Sequence, residues 1–237
     1  HCALATSRAW RGVLAALPEV EPILVDLPGH GRSPDPAPGA EYQGRALEDA
    51  VAALGGRPAQ IVGHSFGATV ALRMALEAPE LVAGLTLIEP VFFAAARTHD
   101  AAAYAQHRAD FAPILTAWEA GDHAATARAF LALWGDGTPW EALPEGQQRY
   151  SAALIHHVIA QFAAIEEDCA DQLAPGRLEA IEAPVLFLRG GETRPIIAAI
   201  HGGLMARMRG AQEHVIPGAG HMLPITHPEE TAGFMRL

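Results

Sequence analysis

Cysteine is nearly absent. Cys2 and Cys169 are the only two in 237 residues. Two thiols make neither a disulfide framework nor a zinc motif, and their scarcity suits a reducing, cytoplasmic setting. Positive charge is also scarce, with 16 basic against 27 acidic residues and a formal net charge of −11. No basic patch stands out, so nucleic acid is not an expected partner. The acidic balance favours solubility and mildly repels anionic substrates. Long hydrophobic runs are missing as well. Gly, Pro or charge interrupts each one before it reaches membrane-spanning length, so no membrane association is expected. No signal peptide is visible, and residue 1 is a histidine. Cofactor motifs are lacking. Neither His-Glu-x-x-His nor Cys-x-x-Cys occurs, and Gly190-Gly191 and Gly202-Gly203 open no dinucleotide fingerprint. His156 and His157 are adjacent, so on a helix they point about 100° apart and are poorly placed to share a metal. The expectation is therefore no metal and no cofactor. Composition leaves the oligomeric state open.

Half of the residues are hydrophobic, enough for a sizeable core in one large domain or a domain with an insert. Five short apolar runs stand out: 22–27, 60–64, 84–88, 184–188 and 214–217. Each is near-continuous rather than alternating, as strands buried on both faces should be. Helical stretches at 7–17, 42–54, 68–77 and 196–208 separate most of them. Alternating strand and helix predicts an α/β fold, a mostly parallel sheet with helices on both faces. Residues 92–178 differ. They are rich in Ala, His, Trp and Gln, show helical periodicity, and hold no strand-like run. Gly121-Asp122, Gly135-Asp136-Gly137 and Pro144-Glu145-Gly146 divide them into about four helices. This stretch reads as a helical cap inserted into a core made of residues 1–91 and 179–237.

The most specific chemistry lies at Ile61-Val-Gly-His-Ser-Phe-Gly67. An apolar run enters a Gly-x-Ser-x-Gly turn and a helix-forming run leaves it, the pattern of a nucleophile elbow. Gly63 and Gly67 flank Ser65 where a Cβ would collide with backbone. A serine hydroxyl needs a base within reach, and the base needs an orienting acid. His221 is the candidate base among twelve histidines. It follows the last apolar run, and Gly218 and Gly220 let its loop turn tightly over the carboxyl edge of the sheet, where open α/β sheets gather ligands. The backbone N–H of Phe66, at a helix start, is one candidate oxyanion donor.

Gly63–Gly67, the segment Asp26-Leu-Pro-Gly-His-Gly-Arg-Ser33 and the Gly-His of the late loop together resemble the α/β-hydrolase fold superfamily across nearly the whole chain. Asp26–Ser33 then shapes the pocket floor without doing chemistry. The resemblance places the acid three residues past the glycine after run 184–188. Here that position is Thr193, which carries no charge, while Glu192 lies one residue early. A second position known in the superfamily is the end of the strand after the nucleophile helix, where this chain has Glu89. A carboxylate there is costly to bury unless something pairs with it, and a histidinium would be such a partner. Glu89 is the favoured acid and Glu192 the alternate. The resemblance also maps a second oxyanion donor onto Ala3, within a segment that usually reads His-Gly-x. Cys2 replaces that glycine and would be strained if the turn required φ > 0. In the superfamily, three strands precede the nucleophile region that are not found here, one of them central, and a closing helix extends further. The core is thus expected to be truncated, with unpaired backbone between runs 22–27 and 60–64.

The resemblance implies a serine esterase that cleaves a small, largely apolar ester or lactone through an acyl-enzyme, acting on a small-molecule substrate. Trp118, Trp134, Trp140, Phe92 and Phe93 are more often core, but beneath a cap some of them would line the substrate cavity, and Phe92 and Phe93 are the best candidates to line its pocket. A serine nucleophile argues against the aspartate-dependent dehalogenase and epoxide-hydrolase branches. It leaves carbon–carbon hydrolases and perhydrolases open, together with a weakly catalytic or non-catalytic ligand-binding relative.

Overall fold

The structure, a computed structural model, describes residues 1–235. Its sheet has four strands in the order β1 (Ala59–His64), β2 (Val82–Ile88), β3 (Val185–Gly190) and β4 (Gln212–Ile216). All three pairings are parallel, with His64 beside Ile88, Ile88 beside Leu188, and Gly190 beside Ile216. Four of the five apolar runs are therefore strands. Because they run the same way in register, their carboxyl ends share one edge. Ser65, Glu89, Gly191 and Pro217 leave the sheet side by side.

Period-two alternation splits the strand side chains between two cores. Leu85, Leu87, Val185 and Phe187 join the larger cluster with Leu72 and Ile200. Ile88, Leu188 and Ile216 join a smaller one with Leu223, against which Trp10 and Phe234 pack. Each fully buried Leu or Phe contributes about 1.5–3 kcal/mol relative to exposure, so both faces hold the sheet.

The helices in chain order are α1 (Arg11–Ala15), α2 (Tyr42–Leu54), α3 (Phe66–Glu77), α4 (Phe93–His99), α5 (Ala101–Glu119), α6 (His123–Trp134), α7 (Glu145–Ala160), α8 (Phe162–Ile165), α9 (Pro195–Met205), α10 (Leu223–Thr226) and α11 (Pro228–Gly233). Local chemistry sets their ends. The Glu41 carboxylate accepts from the N–H groups of Gln43 and Gly44 at 2.8 and 2.7 Å and starts α2. Gly55, at φ 58°, stops it in the left-handed region. Asp100 and Asp122 accept from Ala103 and Ala125 and start α5 and α6. Residues between β2 and β3 form α4 to α8, one more α-helix than the punctuation suggested: Asp100 separates α4 from α5 and the turn at Gln161 separates α8 from α7, while the stretch between the second and third breaks holds only a short 3-10 turn.

Pro22–Leu27 is the exception. It is apolar but belongs to no strand. A groove of about 590 Å³, lined by Pro22–Val25 on one side and Ala59–Val62 on the other, separates it from β1. A strand exists only where a neighbour accepts its backbone hydrogen bonds, and none of the described residues fills that gap. Ile23 and Leu24 consequently remain 40 % and 48 % exposed.

Candidate active site

Ser65 sits between β1 and α3 at φ 57°, ψ −119°. A non-glycine residue held there is strained, and its surroundings explain how it is held. A Cβ on Gly63 would drive into Gly67 O and the Ala68 backbone, and one on Gly67 would lie 2.7 Å from His1 O. The elbow closes only with glycine at both places. Ser65 N–H also donates to Ile88 O at 2.8 Å, which ties the turn to the end of β2.

His221 arrives on the loop after β4, with Gly218 at φ 73°. Its Nε2 is 3.0 Å from Ser65 Oγ, and its Nδ1 is 3.0 Å from Glu89 Oε2. Glu89, 0 % exposed, also accepts from Gly190 N–H at 2.7 Å and from the Thr193 hydroxyl at 2.6 Å. Both of its oxygens accept hydrogen bonds from other groups, so it meets His221 as an acceptor. The proton on His221 then belongs on Nδ1, which leaves the Nε2 lone pair for the Ser65 hydroxyl. Glu192, the alternate acid, is exposed, and among the described residues it meets the His221 loop through its backbone N–H, which donates to Ala219 O at 2.9 Å.

Two contributors, Thr193 and His64, were not legible in the sequence as site residues, and a third, Trp134, was legible only as one of several cap aromatics. Thr193 stands where the resemblance puts the acid, and its hydroxyl donates to Glu89, just past the end of β2. His64, at the end of β1, donates from Nε2 to the His221 carbonyl at 2.9 Å. Burial, aided by nearby His221, holds His64 well below the usual histidine range, so it stays neutral. Trp134, the last residue of α6, meets the His221 ring edge-on at 4.8 Å. Phe93 reaches this wall, 5.9 Å from the Trp134 ring, but its stacking partner is His107 at 3.8 Å. Phe92 is 0 % exposed and packs in the larger core.

Residues 1–4 lie against the start of α3 through the His1–Gly67 contact. The His1 ring accepts from Leu27 N–H at 2.9 Å and donates to its neighbour's carbonyl, and His30 Nε2 accepts from Leu4 N–H at 3.1 Å. The strain anticipated at Cys2 is not there. The positive φ falls on Leu4, at 59°. Cys2 is a buried thiol that burial pushes up to about 11, too protonated at neutral pH to act as a nucleophile. Asp26 accepts from Ser7 N–H at 2.6 Å and Arg32 N–H at 3.2 Å, which shapes the 26–33 turn. The expectation for His156 and His157 is also corrected. Their rings lean together, with centroids 3.9 Å apart.

Residues 1–234 match the alpha/beta hydrolase family. The chain belongs to that family. A 2-hydroxymuconate semialdehyde hydrolase of Pseudomonas putida is 30 % identical over 219 residues, covering 89 % of this chain and 73 % of that protein. A pimeloyl-[acyl-carrier protein] methyl ester esterase of Methylococcus capsulatus is 34 % identical over 213 residues, covering 88 % and 80 %. The match to lipase LipV of Mycobacterium tuberculosis is 42 % but spans only 87 residues, about a third of that protein. Among solved structures, a hydrolase from Pseudomonas aeruginosa superposes with a TM-score of 0.72 at 28 % identity, covering 99 % of this chain and 85 % of that one. These relatives are hydrolases, and hydrolysis is the activity that this family membership supports. Among the described residues, no helix is long and apolar enough to cross a membrane.

Proposed function

We propose that the chain is a serine esterase working through an acyl-enzyme. The observation that carries this reading is the continuous line from Ser65 Oγ through the His221 ring to Glu89, with two contacts of 3.0 Å. Ser65 attacks the ester carbonyl as His221 Nε2 takes its proton. Glu89 orients the imidazole and stabilises its charged form, and His221 then protonates the departing alcohol. Water, deprotonated by the same nitrogen, releases the acid. The N–H groups of Phe66 and Ala3 hold the oxyanion. Phe66 is the first residue of α3, so its N–H has no partner in the helix ladder. Each such donor is worth about 3–4 kcal/mol in the transition state.

Ser65 and His221 are 6 % and 7 % exposed. Substrate therefore reaches them past the helices between β2 and β3, which act as the cap. Trp134 and Phe93 give that wall an apolar character, which suits a small, largely hydrophobic ester or lactone. The relative named as a methyl ester esterase supports the same bond type. The relative named for 2-hydroxymuconate semialdehyde supports a second reading, in which that compound class is the substrate of the same site.

p-Nitrophenyl acetate turnover by purified protein tests the first reading. Wild type should hydrolyse it with a burst of nitrophenolate, and Ser65→Ala should lose about a thousandfold or more. Turnover that persists in Ser65→Ala removes Ser65 as the nucleophile. Inert wild type leaves a ligand-binding role, and 2-hydroxymuconate semialdehyde is then the next substrate to assay.

A further inference from the structure

A cluster of side chains on α7 and the loop at Asp35 takes no part in this chemistry. Asp35, His156 and His157 bring three ligand atoms within 4.8 Å of one another. His157 is 2 % exposed, yet its Nε2 makes no hydrogen bond within the described residues. Asp35 Oδ1 lies 3.3 Å from that nitrogen without the alignment of a hydrogen bond. A buried, unpartnered ring nitrogen normally costs free energy, so something should account for it.

The spacing suits a metal. Bonds of about 2.0–2.1 Å in tetrahedral geometry hold neighbouring ligand atoms about 3.4 Å apart, close to the separation of Nε2 and Oδ1. The room is there because Gly29, at φ 74°, has no side chain. A Cβ on it would strike His157 Nε2 and come within 2.6 Å of Asp35 Oδ1. His156 donates from Nδ1 to Ala153 O at 2.9 Å, which leaves its Nε2 lone pair available.

We propose that Asp35, His156 and His157 form a binding site for a divalent transition metal of the zinc type, with its fourth position open to water. The site joins the loop after the 26–33 turn to α7, and so ties the helical region between β2 and β3 to the core. His157 is 5.3 Å, ring to ring, from Tyr42, which is itself 5.5 Å from Phe66. The metal acts as a staple beside the pocket floor, and the Ser65 chemistry does not require it.

Titration calorimetry of tag-free, chelator-treated protein with zinc chloride tests the proposal. Wild type should bind one equivalent per chain. Asp35→Asn and His156→Ala alter exposed residues and should each weaken binding at least about tenfold while leaving ester turnover in chelator unchanged. Cobalt(II) should give a four-coordinate visible spectrum in wild type that is lost in Asp35→Asn. Absence of saturable one-to-one binding overturns the site. So does binding that survives in both variants, since it would belong to other histidines such as His99, His123 or His227.

Discussion

The Thr193 hydroxyl and the His221 ring meet on one oxygen, Glu89 Oε2, at 2.6 and 3.0 Å. The hydroxyl comes from the loop after β3 and the carboxylate from the end of β2, 104 residues apart in the chain. Neighbouring strand ends thus supply a charge and a donor to the same point. If Glu89 is the orienting acid, Glu89→Gln should lower kcat on p-nitrophenyl acetate by about 10³–10⁴, because an amide can favour the wrong tautomer. Glu192→Gln should stay within about twofold of wild type. Steady-state kinetics on the pair decides between the carboxylates, and loss in the second variant alone would reverse the assignment.

Thr193 offers a sharper test of the same geometry. Thr193→Val removes one donor to a buried carboxylate, a loss of about 1.5–3 kcal/mol where the bond is charge-assisted. kcat should fall about tenfold or more with little change in KM. Thr193→Asp alone should do worse, since it sets a second carboxylate against Glu89. Glu89→Ala combined with Thr193→Asp should recover activity over Glu89→Ala, because the new carboxylate starts from a position already within reach of Glu89 Oε2. No recovery would mean that the loop after β3 cannot present an acid to His221.

These contacts mark where the sequence stops being informative. The four observed strands were legible because each carries a short, near-continuous apolar run, although only β2 and most of β3 are buried on both faces, while β4 is largely exposed. Pro22–Leu27 has the same composition and is not a strand, since strandedness depends on a partner that periodicity does not encode. Ser65 and His221 announced themselves through glycines whose purpose is local. Glu89 was legible as a charge ending an apolar run. Thr193 and His64 were not, and Trp134 was legible only as one cap aromatic among several, because each acts across an interface between segments distant in the chain. The punctuation of 92–178 located the starts of α6 and α7, with Asp122 capping α6 through its own side chain, but it missed the boundary at Asp100 between α4 and α5. Nothing in helical periodicity says which helix end rests on His221.

Trp134 is that helix end. It is 4 % exposed and lies edge-on to His221. Trp134→Ala should cost about 3–5 kcal/mol of stability and open space beside the imidazole. A series of p-nitrophenyl esters should then show KM rising for acetate and turnover improving for longer acyl chains, with Trp134→Phe intermediate. An unchanged chain-length profile would place Trp134 outside the pocket wall.

Two glycine substitutions should part company. Gly63→Ala forces a Cβ into the backbone of Gly67 and Ala68, which no rotamer change relieves. It should destabilise by more than about 3 kcal/mol and abolish turnover. Gly146→Ala, in the first turn of α7 with nothing within 4 Å of its Cβ, should stabilise by about 0.5–1 kcal/mol. Urea unfolding measures both. Equal effects would mean that the elbow tolerates a side chain and is not the close approach described above.

Acid should weaken the fold before its carboxylates titrate. His157 ionises near 4 in the folded protein and near 6.5 when unfolded, chiefly because burial opposes its charge. Between those values the unfolded chain binds a proton that the native state refuses. Unfolding is therefore favoured as pH falls from 6.5 toward 4, and the loss levels off below that. Buried His64, also held well down, adds to the slope in the same direction. The groups facing His157 are His156, His30, Tyr42 and Asp35. Of these the two histidines reinforce the shift and the Asp35 carboxylate opposes it. Urea midpoints measured in chelator across this window should decline for wild type and decline less for His157→Gln, which carries no titrating group. Parallel curves would mean that His157 accepts its proton in the native state without penalty, and that its burial is not what holds its basicity down.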